Sequence, residues 1–438
     1  MSKLPPVVEA VTKHPQRAAR GVRSFWRGLG PGLVTGAADD DPSGIATYSI
    51  AGAESGTSLL WLAPLSWPLM AAVQTMCARI GMVTGQGLMA GLRTRYPRWL
   101  LATACAALLA ANTINIGADL TAMADAIEML TGVNSHLWVV LLGAGIAWST
   151  VRLRYAVIAN VLKWLALVLF AYVITAVKVG PHWASVLHDT VLPSMPHGSR
   201  GWGTVVAILG TTISPYLFFW QAAQEVEEEK AIGRDSVSAR RGATEDEIVR
   251  RKVDVGTGTF FSNMAMYFII LTTALTLHAH GVTHPTSSRE VAEALEPLAG
   301  RFSALLYTLG IIGTGVLAIP TLAGSAAYAL ADLFGFRQGI DEEFRGAPTF
   351  YAIIIVSVAA GVVFDFANFN TLKLLYVTAV INGVLAPFLL TGILLAASDR
   401  TLMQGQPSSL IGRIAVGITT AVMFGATLGM FLTRARRR

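Results

Sequence analysis

Cysteine is almost missing from this chain: there are 2 in 438 residues, Cys77 and Cys105, and both fall inside apolar stretches. Neither a disulfide framework nor a thiolate metal cluster can be built from them. Charge is scarce too. Asp, Glu, Lys and Arg make up 14% of the residues against 53% hydrophobic, too little to coat a soluble globule. A polytopic, all-α membrane protein is what remains. Its basic excess, Lys+Arg 33 to Asp+Glu 27, sits mostly in short segments between apolar runs, where it orients a membrane chain rather than marking a nucleic-acid surface. Catalytic signatures are also lacking: there is no His-Glu-x-x-His, no Gly-x-Ser-x-Gly on a membrane segment and no phosphate loop, so an enzyme is not expected. Residues 1–28 have no apolar core of about 7 to 15 residues, which sets a signal peptide aside and predicts a cytosolic N-terminal tail.

What the chain does have is apolar length. A window of about 20 residues finds candidate spans near 29–54, 58–83, 99–130, 136–151, 155–178, 202–224, 253–279, 302–334, 348–366, 371–397 and 409–432. With the N-terminus inside, the inner segments collect Arg93, Arg95 and Arg98, then Arg152 and Arg154, then Arg234, Arg240, Arg241, Arg250 and Arg251. The outer loops before the eleventh span are nearly free of arginine, as the positive-inside rule requires. One violation stands: an odd count puts Arg434 to Arg438 outside, so either that tail is a tolerated exception or one span is miscounted. Residues 225–252 read as a solvated inner loop with helical ends, and Val291 to Leu298 as a short amphipathic helix in the outer loop. The expected location is the plasma membrane, with lipid as the surround and no obligate protein partner.

Two spans are interrupted at mid-depth by a proline beside oxygen-bearing residues: Asp39-Asp40-Asp41-Pro42-Ser43-Gly44 in the first, and Thr211-Thr212-Ile213-Ser214-Pro215-Tyr216 in the sixth. Proline removes a backbone donor and displaces the carbonyl four residues back, leaving acceptors where lipid offers no water. The two breaks open two halves, residues 29–178 and 202–397. An odd number of spans per half inverts the second against the first, so both breaks meet at one centre. Residues 409–438 add a last span outside the repeat. At the first break the candidate ligands are the Asp41 carboxylate, the Ser43 hydroxyl and the Ala38 carbonyl, with Gly44 letting the chain restart. At the second they are the Thr211 carbonyl and the Thr212 and Ser214 hydroxyls, with Tyr216 following Pro215. An ionised carboxylate at this depth is costly unless paired, and no Lys or Arg lies deep in the sixth span, so a bound cation explains it best. Simple N-capping needs one carboxylate, not three in a row. Asp40 is expected to line a water-filled vestibule.

These residues resemble the Nramp (natural resistance-associated macrophage protein) divalent-metal transporters, which have the LeuT-type fold. Gly30-Pro31-Gly32 leading to Asp41-Pro42-Ser43-Gly44 resembles the family's first span with its Asp-Pro-Gly-Asn motif. Ala78-Arg79-Ile80-Gly81 with Val83-Thr84-Gly85 resembles the end of its second. Leu209-Gly210-Thr211-Thr212-Ile213-Ser214-Pro215-Tyr216 stands where the family has Gly-Ala-Thr-Ile-Met-Pro-His, and Ala386-Pro387-Phe388 resembles its tenth span. The resemblance implies a metal site at Asp41, Gly44, Ala38, Thr211 and Ser214, eleven helices in a 5+5 inverted repeat plus one, and no cofactor.

Departures from that pattern shape the expected cargo. The family's asparagine becomes Gly44 and its methionine becomes Ser214, so the sulfur that favours softer ions is gone and room opens for retained water. Mg²⁺ keeps water and binds through few carboxylates. The chain is therefore similar to the Nramp-related magnesium transporter branch, with Mn²⁺ as a further substrate. A proton-coupled Mn²⁺/Fe²⁺ importer is the alternative. The family's proton path aligns with Asn112, Asp119, Ala122 and Tyr216, of which Asp119 alone is an acid, so uncoupled uptake is expected. Asn263 and Asn382 could touch a hydrated ion, or make hydrogen bonds between helices. Met195-Pro196-His197 repeats a family triplet in the loop before the sixth span, the wrong place for the site. His278, His280 and His284 read as an ordinary outer loop.

Overall fold

The computed structural model describes residues 35–36, 38–153, 167–196, 198–367 and 369–435. Helices dominate, and their ends follow from local chemistry. Helix α1 (Pro42–Ser55) starts with proline at its first position and Asp41 as N-cap, and it stops at Gly56 with φ 58°. Proline costs nothing there because its missing N–H would have no partner in the first turn. After a bend of 112°, α2 (Leu62–Thr84) runs back to Gly85. There follow α3 (Arg98–Thr131), α4 (Ser135–Arg152), α5 (Phe170–Val179) and a short outer helix α6 (Trp183–Val191). The second half holds α7 (Gly198–Thr212), α8 (Pro215–Ala231), α9 (Glu245–Thr276), α10 (Ser303–Phe334), α11 (Pro348–Asp365) and α12 (Thr371–Ser398), with α13 (Leu410–Ala435) last. Each predicted span coincides with a helix, except that the start of the first and the first part of the fifth lie outside the described residues. Two short helices, Ser288–Glu293 and Glu296–Ala299, stand where one amphipathic helix was predicted.

Contacts among the described loops sort them onto two ends of the bundle. On the arginine-rich side, Arg95 pairs with Asp399 at 2.7 Å, Arg240 donates to the Gly85 carbonyl at 3.1 Å, and Lys230 reaches the Gln338 carbonyl at 3.2 Å. At the opposite end, Thr57 donates to Asp189 at 2.5 Å, Ser194 to the Ser58 carbonyl at 2.5 Å, and Asn370 to the Thr286 carbonyl at 3.0 Å. The loops joined by these contacts thus fall into two groups at opposite ends, as single crossings demand.

The interior is close-packed through small residues. A Cβ on Gly210 of α7 would lie 2.2 Å from the Ala379 carbonyl of α12, and one on Gly36 would lie 2.4 Å from the Gly258 carbonyl carbon of α9. Such contacts let backbones touch where no hydrophobic force separates helix from lipid. Helix α9 packs on α1 and α2, α7 on α1 and α12, and α3 on α10 and α11. The outcome is a bundle whose centre is occupied by the two broken segments. Its perimeter is apolar: Ile411, Ile414, Ile418 and Leu428 of α13 are exposed along one side, a lipid-facing stripe.

Candidate metal site

Both breaks form where proline requires them. Residues 38–39 are helical, Asp40 and Asp41 are not, and α1 restarts at Pro42. Helix α7 likewise ends at Thr212, and α8 restarts at Pro215 with Ser214 as N-cap, φ −76° and ψ 133°. Each proline displaces the carbonyl four residues back, and a hydroxyl takes up each one. Tyr216 Oη donates to the Ala38 carbonyl at 2.9 Å, and Ser214 Oγ donates to the Thr211 carbonyl at 2.6 Å, with the Gly210 carbonyl at 2.9 Å. The first of these bonds ties one break directly to the other. Tyr216→Phe should strip the Ala38 carbonyl of its donor inside the bundle, lowering stability by about 1 to 3 kcal/mol. Thermal unfolding in detergent would register this as a lower midpoint; an unchanged one would mean another donor replaces the phenol.

Asp41 sits at the junction, 2% exposed. Its Oδ1 accepts the Gly44 N–H at 2.6 Å, so it caps α1 after all, and its Oδ2 accepts Asn115 Nδ2 of α3 at 2.9 Å. Asn115 also donates to Asp119 Oδ2 at 3.3 Å, and Asp119 lies against the backbone N–H of Ser43. Two carboxylates therefore converge on the positive end of α1, where a helix favours negative charge. Gly44 lets the two breaks approach closely: a Cβ there would be 3.1 Å from the Thr211 hydroxyl and 3.3 Å from Asp41 Oδ1. Asp41, Gly44, Ala38, Thr211 and Ser214 are thus brought together.

Other predicted residues are placed differently. Ser43 follows Pro42 and points about 100° away from Gly44 around the helix. Its hydroxyl meets α12 instead, donating to the Leu375 carbonyl at 3.1 Å and lying 3.2 Å from Thr378 Oγ1. Thr212 turns back on its own helix, donating to the Ile208 carbonyl at 2.8 Å. Among the described residues Asp40 faces no open vestibule; it is 5% exposed, where the Gly36–Gly258 approach brings this stretch against α9. Ser262 of α9 lies 2.6 Å from Asp39 Oδ2 and 3.3 Å from Asp40 Oδ1. Asn263 faces α2, accepting from Ser66 at 2.7 Å and donating to Met70 Sδ, which makes it an interhelical link. Asn382 is buried on α12 one residue before Gly383, which packs on α7. Among the outer histidines, His278 meets the Ala53 carbonyl, His280 the Thr276 carbonyl and His284 meets Glu54, three separate partners.

Asn115 and Ser262 were not among the residues singled out from sequence. Asn115 had a signal: Asn112, Asn115 and Asp119 are spaced i, i+3, i+7 and so line one face of the helix in its largely apolar middle stretch. Ser262 had none.

Among the described residues, no ion pair includes Asp39, Asp40, Asp41 or Asp119, so four buried acids share the centre without a basic partner there. Nor do three His, Cys, Asp or Glu side chains among those residues come close enough to hold an ion alone. A cation at Asp41 would need carbonyl, hydroxyl or amide oxygen and water beside the carboxylate. Oxygen donors of this kind suit Mg²⁺, Ca²⁺ and Mn²⁺.

Comparison with known proteins agrees with this architecture. Residues 32–433 match the family described as natural resistance-associated macrophage protein-like. The divalent metal cation transporter MntH of Aeromonas hydrophila is 25% identical over 410 residues, covering 89% of this chain and 92% of the relative. Its namesake in Deinococcus radiodurans is 26% identical over 400 residues, with 88% and 84% covered. In three dimensions the chain is similar to a manganese transporter of Eremococcus coleocola, with a TM-score of 0.74 at 16% identity, covering 94% of this chain and 87% of that one. It is also similar to Mhp1, a nucleobase-cation-symport-1 family transporter, with a TM-score of 0.55 at 16% identity and 93% and 91% covered. The fold is thus the LeuT-type arrangement, with the two broken helices at its centre.

Proposed function

This chain belongs to the natural resistance-associated macrophage protein-like family, and from that premise we propose that it carries a divalent metal cation across the plasma membrane by alternating access. The observation that carries the reading is the meeting of the two breaks: Tyr216 bridges to Ala38 at 2.9 Å, and the Asp41 carboxylate stands beside Gly44 and Thr211. Main-chain and hydroxyl oxygens of the two segments lie near one buried carboxylate and are the donors proposed to join it around an ion. An ion held there can be exposed to either side as one repeat rocks against the other.

Mn²⁺ comes first among the substrates. The MntH relatives are divalent metal cation transporters and the Eremococcus coleocola neighbour is a manganese transporter, which favours a transition-metal importer over the Mg²⁺-first order expected from the residues alone. Mn²⁺ accepts carboxylate, carbonyl and water as readily as Mg²⁺ does. Mg²⁺ is the second reading, favoured by Gly44 and Ser214, which offer small side chains and no sulfur. Entry of either ion into an inside-negative cell gains about 4.6 kcal/mol per 100 mV for its two charges, so a proton is not required to drive it. The N-terminus is read as cytosolic because the loops carrying Arg93, Arg95, Arg234 and Arg240 share one end.

Proteoliposomes with an internal pH dye test all of this at once. Mn²⁺ entry accompanied by acidification supports the proton-coupled importer, and Mg²⁺ entry without acidification supports the second reading. If neither ion enters protein-containing vesicles faster than empty ones, the proposal fails.

A further inference from the structure

Asn115 lies on α3, 0% exposed, with its terminal nitrogen 2.9 Å from Asp41 Oδ2 and 3.3 Å from Asp119 Oδ2. Its NH₂ end faces both carboxylates and donates to them, so the amide oxygen points the other way. The amide oxygen is then left buried with no donor, although an orphan acceptor inside a bundle is costly. We propose that Asn115 is a specificity-determining ligand that presents this oxygen to the transported ion alongside Asp41. The inference rests on the divalent-cation reading above and deepens it.

The geometry favours it. A half-turn of the amide plane exchanges Nδ2 and Oδ1, bringing the oxygen to about the place the nitrogen holds. Neighbouring oxygens around a six-coordinate ion with 2.0–2.1 Å bonds are about 2.9 Å apart, the separation already present between Asn115 and Asp41 Oδ2. The side chain is also well supported. Helix α3 is 34 residues long and packs on both α10 and α11, so the amide is carried by a fixed element rather than by either broken helix. Asn112, one turn earlier, is unsuited to the role because its NH₂ donates to the Leu322 carbonyl at 2.8 Å and to Ser325 at 2.9 Å on α10. With Asn115 included, the donor set gains a neutral hard oxygen, which suits Mn²⁺ and Mg²⁺ and disfavours softer ions.

The test is Mn²⁺ and Mg²⁺ binding to the full-length protein in detergent by calorimetry, with melting curves, for wild type, Asn115→Leu, Asn115→Asp and Asp41→Asn. Leucine and aspartate match asparagine in shape, and only aspartate keeps an oxygen while losing the N–H. Asn115→Leu should bind Mn²⁺ at least tenfold more weakly, and Asn115→Asp should stay within about threefold of wild type or bind more tightly. The inference is overturned if leucine binds like wild type, or if aspartate is as weak as leucine, since donation to the carboxylates would then be the whole role. Should the leucine variant not fold, wild type carrying ¹³C-labelled asparagine gives the answer: Mn²⁺ must shift one side-chain carbonyl infrared band, a shift missing in Asn115→Asp, and no shift overturns the proposal. Wild type that binds no divalent ion would instead sink the transport reading, whereas binding lost in Asp41→Asn but kept in Asn115→Leu sinks this inference alone.

Discussion

Asp41→Asn should yield a folded protein that neither binds nor moves Mn²⁺. Asparagine is as good an N-cap as aspartate, so the Gly44 N–H keeps an acceptor and α1 keeps its start. Asn115 can turn its amide over to accept from the new NH₂. What disappears is the carboxylate that stands between Gly44 and Asn115, and with it the charge proposed to hold the ion. Removing one member of a buried charge pair costs about 3 to 5 kcal/mol, which corresponds to more than a hundredfold in affinity. Asp41→Ala should lose the same binding and in addition about 1 kcal/mol of stability, because the cap goes too. The pair of variants separates the capping role that the structure shows from the proposed ligand role. Uptake into proteoliposomes and unfolding midpoints in detergent measure them independently. Wild-type uptake by Asp41→Asn would reduce this carboxylate to a cap.

Much of the fold could be read from the sequence because apolar length and proline act locally. A run of about 20 apolar residues must cross as a helix, and a proline within it must break the hydrogen-bond ladder. Hence the break at Asp40 and Asp41 and the one at Ile213 and Ser214 were both expected where they occur. The carbonyls of Ala38 and Thr211 were also expected to be released, since the register of four residues is fixed by helix geometry. Which partner takes up each carbonyl is another matter. Tyr216 and Ala38 are 178 positions apart, and nothing in either segment records that a phenol will satisfy that oxygen.

The same limit explains the residues that were misplaced or missed. Ser43 carries the right chemistry for a ligand, yet its angular position around α1 turns it to α12, and that depends on where the neighbouring helix lies. Asp40 looked like a vestibule residue because three consecutive acids suggest hydration. Instead, two glycines bring backbones together at Gly36 and Gly258, and the closeness of that approach buries the acid against Ser262. Local composition reports that a group is polar. Only packing decides whether water reaches it.

Ser214→Met is expected to change which ion the protein prefers more than how fast it works. Ser214 Oγ now donates to the Thr211 carbonyl at 2.6 Å, so the substitution removes that donor and offers a thioether in its place. Sulfur adds affinity for softer cations and nothing for Mg²⁺, which demands oxygen and holds its water. The freed Thr211 carbonyl remains available to the ion, so Mn²⁺ entry should persist. Competition uptake with Cd²⁺ against Mg²⁺ should therefore rise by at least tenfold in the ratio of the two, about 1.4 kcal/mol of discrimination. The thioether is larger than the hydroxyl, and a flexible methionine must adapt to a tight approach between Gly44 and Thr211. Adding Gly44→Ala should blunt the gain, because its Cβ would stand 3.1 Å from the Thr211 hydroxyl and crowd the same space. An unchanged Cd²⁺ to Mg²⁺ ratio in Ser214→Met would mean that the second break does not face the ion, and would take Ser214 and Thr211 out of the site together.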